Sequence, residues 1–480
     1  MTNETNQRIR PQVIAAVIAT GLMSFSGVIV ETAMNITFPT LMKEFDITTS
    51  TVQWLTTGYL LTVAIIVPLS SALKTRFKTK SLFIVANLLF LLGLIMDAVA
   101  PIFPILLLGR IIQGCGTGIA LPLMFNTIID QVPTSKIGMM MGIGTLITAV
   151  APAIGPTFGG VVVASLGWRF VFIILVPLLL ISLATGIKTI EQKRPTQAMK
   201  FDPVSILLIA MTFIGLILGF SNMGGMSFMS LPVAGAIIIG LAGLVGLVYR
   251  SLHIDQPVID LRVLGNASFA AHVFVFFALQ LISLGMSFIL PNYMQLVNGA
   301  TSTIAGLVVL PGAALGAVMS PISGRIYDHF GAKKPLMLGS SIVFICLVLF
   351  TVLALNIKDS LILAIYVIYM FGVGSIFGNI MTNGLSTLKN EQQTDGNAIL
   401  NTIQQFAGAV GTSIVSTIIG ASQLGEGGSQ ADLTAVGSRN ALLVLTILMG
   451  IVILVLLYAL NTAIKQKMHI KNEESGQNGG

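Results

Sequence analysis

Fourteen apolar runs, most at or above the roughly twenty residues a helix needs to cross a bilayer, follow one another along this chain. Their limits read 12–38, 52–73, 81–100, 104–128, 138–164, 169–187, 204–222, 230–250, 268–292, 303–324, 335–356, 360–383, 398–421 and 440–462. A water-soluble fold cannot use such a pattern, because each run would need a polar cover that the chain lacks. Of the 480 residues, 55% are hydrophobic and 9% are charged, whereas an ordinary soluble domain is roughly 25% charged. The runs are also too long and too evenly apolar for the strands of a membrane barrel, which span with about ten residues of alternating polarity. The expected fold class is an all-α polytopic membrane protein with 14 spans.

With an even number of spans both termini share one side. Twenty of the 25 Lys and Arg residues fall on that side. Lys43, Arg169, Lys358 and Arg439 fall on the other, and Arg110 lies inside a run. Basic residues collect in cytoplasmic loops, so both termini are expected in the cytoplasm of a bacterial cell. The same rule accounts for the net charge of +7 without a nucleic-acid partner. The opening MTNETNQRIRPQ is polar and basic, and the apolar stretch after it is too long for a cleavable leader. Cys115 and Cys346 sit inside apolar runs at no metal or redox spacing, and neither a metal nor a cofactor is expected.

Six runs precede the charged segment 188–203, two follow it, and six more come after residue 263. This predicts an N-terminal bundle over 1–187, a linker with two extra spans over 188–262, a C-terminal bundle over 263–464 and a disordered tail over 465–480. The halves repeat at an offset of 253 residues: PLSSALKTRFKTK from Pro68 matches PISGRIYDHFGAK from Pro321. Paired halves are how many transporters build alternating access around a midplane site.

Several ordered motifs resemble the major facilitator superfamily, in particular its 14-helix drug–proton antiporter branch. Gly324-Arg-Ile-Tyr-Asp328-His-Phe-Gly331-Ala-Lys333 is similar to the family's loop signature, and the first-half copy is degenerate, with Ser71, Thr75 and Lys78 at its Gly, Asp and second Gly. Leu108-Gly-Arg110-Ile-Ile-Gln113-Gly114 resembles the helix-4 signature, and Gly155-Pro156-Thr-Phe-Gly159-Gly160 the helix-5 antiporter motif. Glu31-Thr-Ala-Met-Asn35-Ile-Thr-Phe-Pro39 looks like the branch's helix-1 motif with Glu for Asp. Trp168-Arg169-Phe170 and Pro291-Asn292-Tyr293-Met-Gln295 also fit. The resemblance implies a major facilitator fold, two six-helix bundles with two linking helices.

Residue chemistry adds candidate roles. A carboxylate at Glu31 is costly in an apolar helix unless paired, hydrated or protonated, so it is the prime proton carrier and an attractor of cations. Arg110 is the basic residue deep in a run, and is expected either to couple with Glu31 or to brace backbone carbonyls. Gln113 shares its face at i+3 and is expected to satisfy Arg110 or line the cavity. Asp97 and Asp130, at helix ends, are possible relays, though end carboxylates are commonly just hydrated. Gly324, Arg325, Asp328, Gly331 and Lys333 read as a conformational latch. Gly155 and Gly159 at i, i+4 read as a close-packing face. Asn35, Gln280, Asn292, Gln295, Asn401 and Gln404 are expected to add polar contacts to a cavity lined by Phe and Met. The runs after residue 263 hold no carboxylate in their cores, which assigns proton handling to the first half.

The function so implied is secondary active export of lipophilic, often cationic, drugs or antibiotics in exchange for protons. The alternatives are a dedicated exporter of a native metabolite, lipid precursor or siderophore, or a transporter-like protein without proton coupling. The expected partners are small lipophilic substrates, protons and membrane lipids, around a monomer. No phosphate-binding loop, metal cluster or nucleophile elbow points to an enzyme.

Overall fold

A computed structural model describes residues 9–47, 49–193, 195–197, 202–223, 226–423 and 428–477. Within them the side chains of Asn35 and Pro156 lie outside the described residues. Fourteen long helices carry the fold, and no strand occurs among the described residues. They are α1 (Pro11–Phe45), α2 (Thr49–Arg76), α3 (Thr79–Val99), α4 (Phe103–Gln131), α5 (Ile137–Leu166), α6 (Phe170–Thr189), α7 (Pro203–Met223), α8 (Leu231–His253), α9 (Ala267–Leu296), α10 (Ser302–Phe330), α11 (Lys333–Leu353), α12 (Asp359–Leu385), α13 (Gln393–Gln423) and α14 (Gln430–Gln477). All but α5 are long and apolar enough over their described residues to cross a membrane, and α5 carries no charged residue over its 30 positions. The chain is a multi-pass membrane protein.

Helix ends follow local chemistry. Glycines at positive φ, where a Cβ would be strained, close the turns after α5 (Gly167, 95°), after α9 (Gly299, 69°) and after α10 (Gly331, 77°). At the last of these the Gly331 N–H donates to the Tyr327 carbonyl at 2.8 Å. The segment 465–477, expected as part of a disordered tail, instead extends α14 to Gln477. Its Lys, Gln and Met residues are good helix formers, and they continue a helix already nucleated by the apolar span.

The chain forms two compact units, Met1–Ile206 with Asp255–Ile259, and Leu207–Ile254 with Asp260–Gly480. In the first, α1 packs along α4, α5 and α6, while α4 also meets α2 and α3. In the second, α9 meets α12, α13 and α14, and α10 packs along α12. Phe213 and Phe220 of α7 meet Phe406 of α13 edge-on, and Phe277 of α9 stacks on the same ring. Lipid tails are as apolar as Leu, so burial alone does not draw such helices together; close packing and internal hydrogen bonds do. Outward faces are correspondingly greasy: Val245, Val352 and Leu454 are each about 70% exposed.

Candidate functional site

The polar residues buried in the first unit converge on α4. Arg110, Gln113 and Thr117 recur at i, i+3 and i+7, which places them on one face. All three are buried. The Arg110 Nε donates to the Leu55 carbonyl of α2 at 3.4 Å, and its Nη1 to Gln113 Oε1 at 2.7 Å. Gln113 passes the connection on: its Nε2 donates to Asp97 Oδ2 of α3 at 2.7 Å. The guanidinium also lies over the Tyr59 ring, 4.2 Å from its centroid, a contact worth about 2 kcal/mol when desolvated. Tyr59 Oη lies 2.9 Å from both the Gly27 carbonyl of α1 and Thr117 Oγ1. A carbonyl only accepts, so the phenol gives its single proton to Gly27 and the Thr117 hydroxyl supplies the other bond.

Asp97 is therefore not a hydrated helix end. It is fully buried in the last turn of α3 because α3 and α4 touch through glycines there. A Cβ at Gly109 would collide with the Asp97 carboxylate, and one at Gly93 with Gln113. The result is a chain from Asp97 through Gln113 to Arg110 that leaves Asp97 Oδ1 and Arg110 Nη2 without a hydrogen-bond partner. Buried polar atoms left open cost about 1–3 kcal/mol each.

Glu31 keeps some accessible surface and lies within electrostatic reach of Arg110. No direct ion pair joins the two among the described residues; Arg110 instead acts at once on Glu31, Asp97 and the Tyr59 ring. The helix-5 motif explains how the surroundings of Glu31 are kept tight. A Cβ at Gly155 would collide with Thr32, and one at Gly159 would lie 2.8 Å from the Ala33 carbonyl, so α5 seats directly on the α1 turn carrying Glu31. Gly160 has nothing within 4 Å of such a Cβ and takes no part in this contact.

Asp130 has a different partner. Its Oδ2 lies 2.6 Å from Lys74 Nζ of α2, both side chains 7% exposed. Thr75, at the acid position of the degenerate loop signature, bonds back to the Ser71 carbonyl at 3.0 Å. This half ties α2 to α4 through a buried pair instead of a loop acid.

In the second unit, Gly324 is buried, Asp328 half-buried, and Arg325 and Lys333 exposed; Lys334 lies over the Phe330 ring at 4.6 Å. Asn292 and Gln295 donate to their own helix, at the Phe288 and Pro291 carbonyls. Asn401 donates to Asn397 Oδ1 at 2.8 Å. Gln280 and Gln404 are half-buried. Of the expected cavity residues, Gln113 joins the cluster, Asn35 has its side chain outside the described residues, and the rest belong to the second unit. Tyr59, Gly93 and Gly109 were not predicted. The i+16 spacing from Gly93 to Gly109 across one turn carries no local signal, and only helix pairing exposes it.

Comparison with known proteins gives one answer throughout. The family model of the Major Facilitator Superfamily matches residues 20–412. The lincomycin resistance protein LmrB of Bacillus subtilis is 40% identical over 427 residues, 88% of this chain and 89% of that protein. The protein of the same name from Listeria monocytogenes is 36% identical over 418 residues, covering 87% and 88%. Among solved structures, the human organic anion transporter MFSD10 (TETRAN) aligns with a TM-score of 0.63 at 12% identity, over 92% of this chain and 100% of that one. At that identity it shows the fold alone.

Proposed function

Because the chain belongs to the major facilitator superfamily, we propose that it exports lipophilic, often cationic, drugs or antibiotics from the cell in exchange for protons. The single observation that carries this reading is the buried Arg110, whose charge acts on two carboxylates, Glu31 and Asp97, while its Nη2 has no hydrogen-bond partner. Charge at that depth is costly and has to be neutralised by a proton, by Arg110 or by a charged cargo. A proton arriving at Glu31 frees Arg110 to lean on Asp97 through Gln113; a proton leaving restores an anion that draws in a cationic substrate. The two occupants exclude each other, which is the condition for exchange.

Both termini lie in the cytoplasm of a bacterial cell in this reading, supported by twenty of 25 basic residues on their side. Residues 1–187 and 263–464 act as the two bundles, and 188–262 connects them. Relatives named for lincomycin resistance support a drug as cargo.

The test is transport by the purified chain in proteoliposomes under an imposed pH gradient. The panel holds lipophilic cations and neutral drugs, lincomycin among them. Uptake that follows the gradient, stops with an uncoupler and is lost in Glu31→Gln supports the reading; flux indifferent to the gradient removes it.

A further inference from the structure

Among the described residues, the second unit holds one buried histidine, and the exchange mechanism does not use it. His272 of α9 is fully buried. Its Nδ1 lies 2.7 Å from the Ser268 carbonyl, and its Nε2 lies 2.7 Å from Asn383 Nδ2 of α12. Asn383 Oδ1 accepts from the Tyr327 hydroxyl of α10 at 3.4 Å. Tyr327 is next to Asp328 in the loop signature, and its carbonyl receives the Gly331 N–H that closes α10.

This chain of contacts has a counterpart in the first half. At the 253-residue offset, Tyr327 corresponds to Lys74 and Asn383 to Asp130. The buried ion pair of one half is thus an uncharged hydrogen bond in the other. The adjoining Asn379–Ser323 bond, 2.7 Å, falls at the positions of Asn126 and Ser70. His272 falls at the position of Ala19, which has nothing to titrate. The joint fixed by charge in the first half is neutral in the second, with an ionisable ring added at its end.

We propose that His272 is a second proton-binding site and that Asn383 and Tyr327 carry its protonation state to the α10 end bearing Asp328. The Ser268 carbonyl only accepts, so Nδ1 carries a proton in either state. In the neutral ring Nε2 accepts from Asn383 Nδ2, and Tyr327 donates to Oδ1. A proton added at Nε2 sets two donors face to face at 2.7 Å. The amide then has to turn and present Oδ1 to the ring, which points Nδ2 at Tyr327. The phenol must accept where it had donated, so its O–H turns to donate to the Ser386 hydroxyl oxygen bonded to it, whose own proton stays on the Asn383 carbonyl at 2.7 Å. No side chain has to travel for this; a Cβ at Gly384 would lie 2.9 Å from His272 Cβ, so the ring has little room to do so.

Charged and titratable groups on the elements around His272 are few. α10 brings Tyr327, Asp328 and Arg325. The turn before α9 brings Arg262, held by the Leu252 and Ile254 carbonyls. α13 brings Asp395, which accepts from the Asp260 N–H at 3.2 Å. α12 has no charged residue in its last two turns, and α14 none between Ala441 and Thr462.

The test reads an equilibrium titration of the purified full chain, so it fails or succeeds independently of transport. An environment-sensitive fluorophore is placed on Ala332→Cys in a background of Cys115→Ser, Cys346→Ser and His329→Asn. Emission is expected to follow a single-proton curve within about pH 5–8, and to become flat in His272→Gln. In Asn383→Leu the reporter falls silent while the 15N shifts of the His272 ring still titrate. A reporter that is flat with His272 present, one that still titrates in His272→Gln, or a His272 ring that never changes protonation overturns the proposal.

Discussion

The Trp168 indole N–H donates to Glu44 Oε2 at 2.6 Å while Arg169 Nη1 holds the other oxygen, Oε1, at 2.8 Å. Arg169 also stacks on the Trp168 ring and donates to the Ala100 carbonyl, so one carboxylate joins the ends of α1 and α3 to the turn before α6. Partial burial raises the Glu44 pKa, but the bonds from Trp168 and Arg169 together with the Arg169 charge outweigh it and hold the group below the usual carboxylate range. A depressed folded pKa stabilises the protein above the unfolded value, near 4.3, and that contribution disappears as pH falls through the folded value. The thermal midpoint in detergent is expected to fall below about pH 4.5 in the native protein and to fall less in Glu44→Gln. The pair is more than a third exposed, so the contribution is about 1 kcal/mol or less. Identical pH curves for the two proteins would remove the assignment.

The Lys74–Asp130 pair is buried, and removing one partner strands the other. Lys74→Ala or Asp130→Ala is expected to destabilise the first unit by about 3–5 kcal/mol. The double substitution Lys74→Met with Asp130→Leu should recover most of it, since two well-packed apolar side chains replace such pairs at little cost. Denaturation of all variants in one detergent checks both statements; a double variant no better than the singles counts against them.

Gly109→Ala drives a methyl into the Asp97 carboxylate. Overpacking of this kind costs about 1–3 kcal/mol, and here it also displaces the Gln113–Asp97 bond. Gradient-driven flux is expected to fall with stability in Gly109→Ala, whereas Gly160→Ala, with open space around it, should behave as the native chain. Equal effects at the two positions would contradict the packing described.

Arg110 works through geometry as well as charge. Its fork reaches Leu55 and Gln113 while its plane covers Tyr59. Lys keeps the charge and loses the fork and the plane, so Arg110→Lys is expected to bind cargo but lose at least about tenfold in coupled flux, a barrier change of about 1.4 kcal/mol. Normal coupling in Arg110→Lys would mean that charge alone suffices.

Much of the architecture was legible from the residues themselves. Twenty-residue apolar runs can only be helices in lipid, since each must satisfy its backbone internally. Glu31 and Arg110 stood out because charge inside an apolar run is rare. Gly155 and Gly159 read as a small-residue face, but that they meet α1 and that Gly160 does not is a matter of packing.

The partners were not legible. Asp97 reads as a hydrated helix end until α3 and α4 close on Gly93 and Gly109; Asp130 gives no sign of Lys74; His272 looks like any polar residue in a span until Asn383 and Tyr327 meet it. Sequence by itself determined how many helices there are and which charges they carry, because hydropathy and backbone preference are properties of each segment alone. Only the tertiary structure decided which of those charges share a buried contact, because that depends on how closely two helices approach, and the approach is set by side chains far apart in the chain.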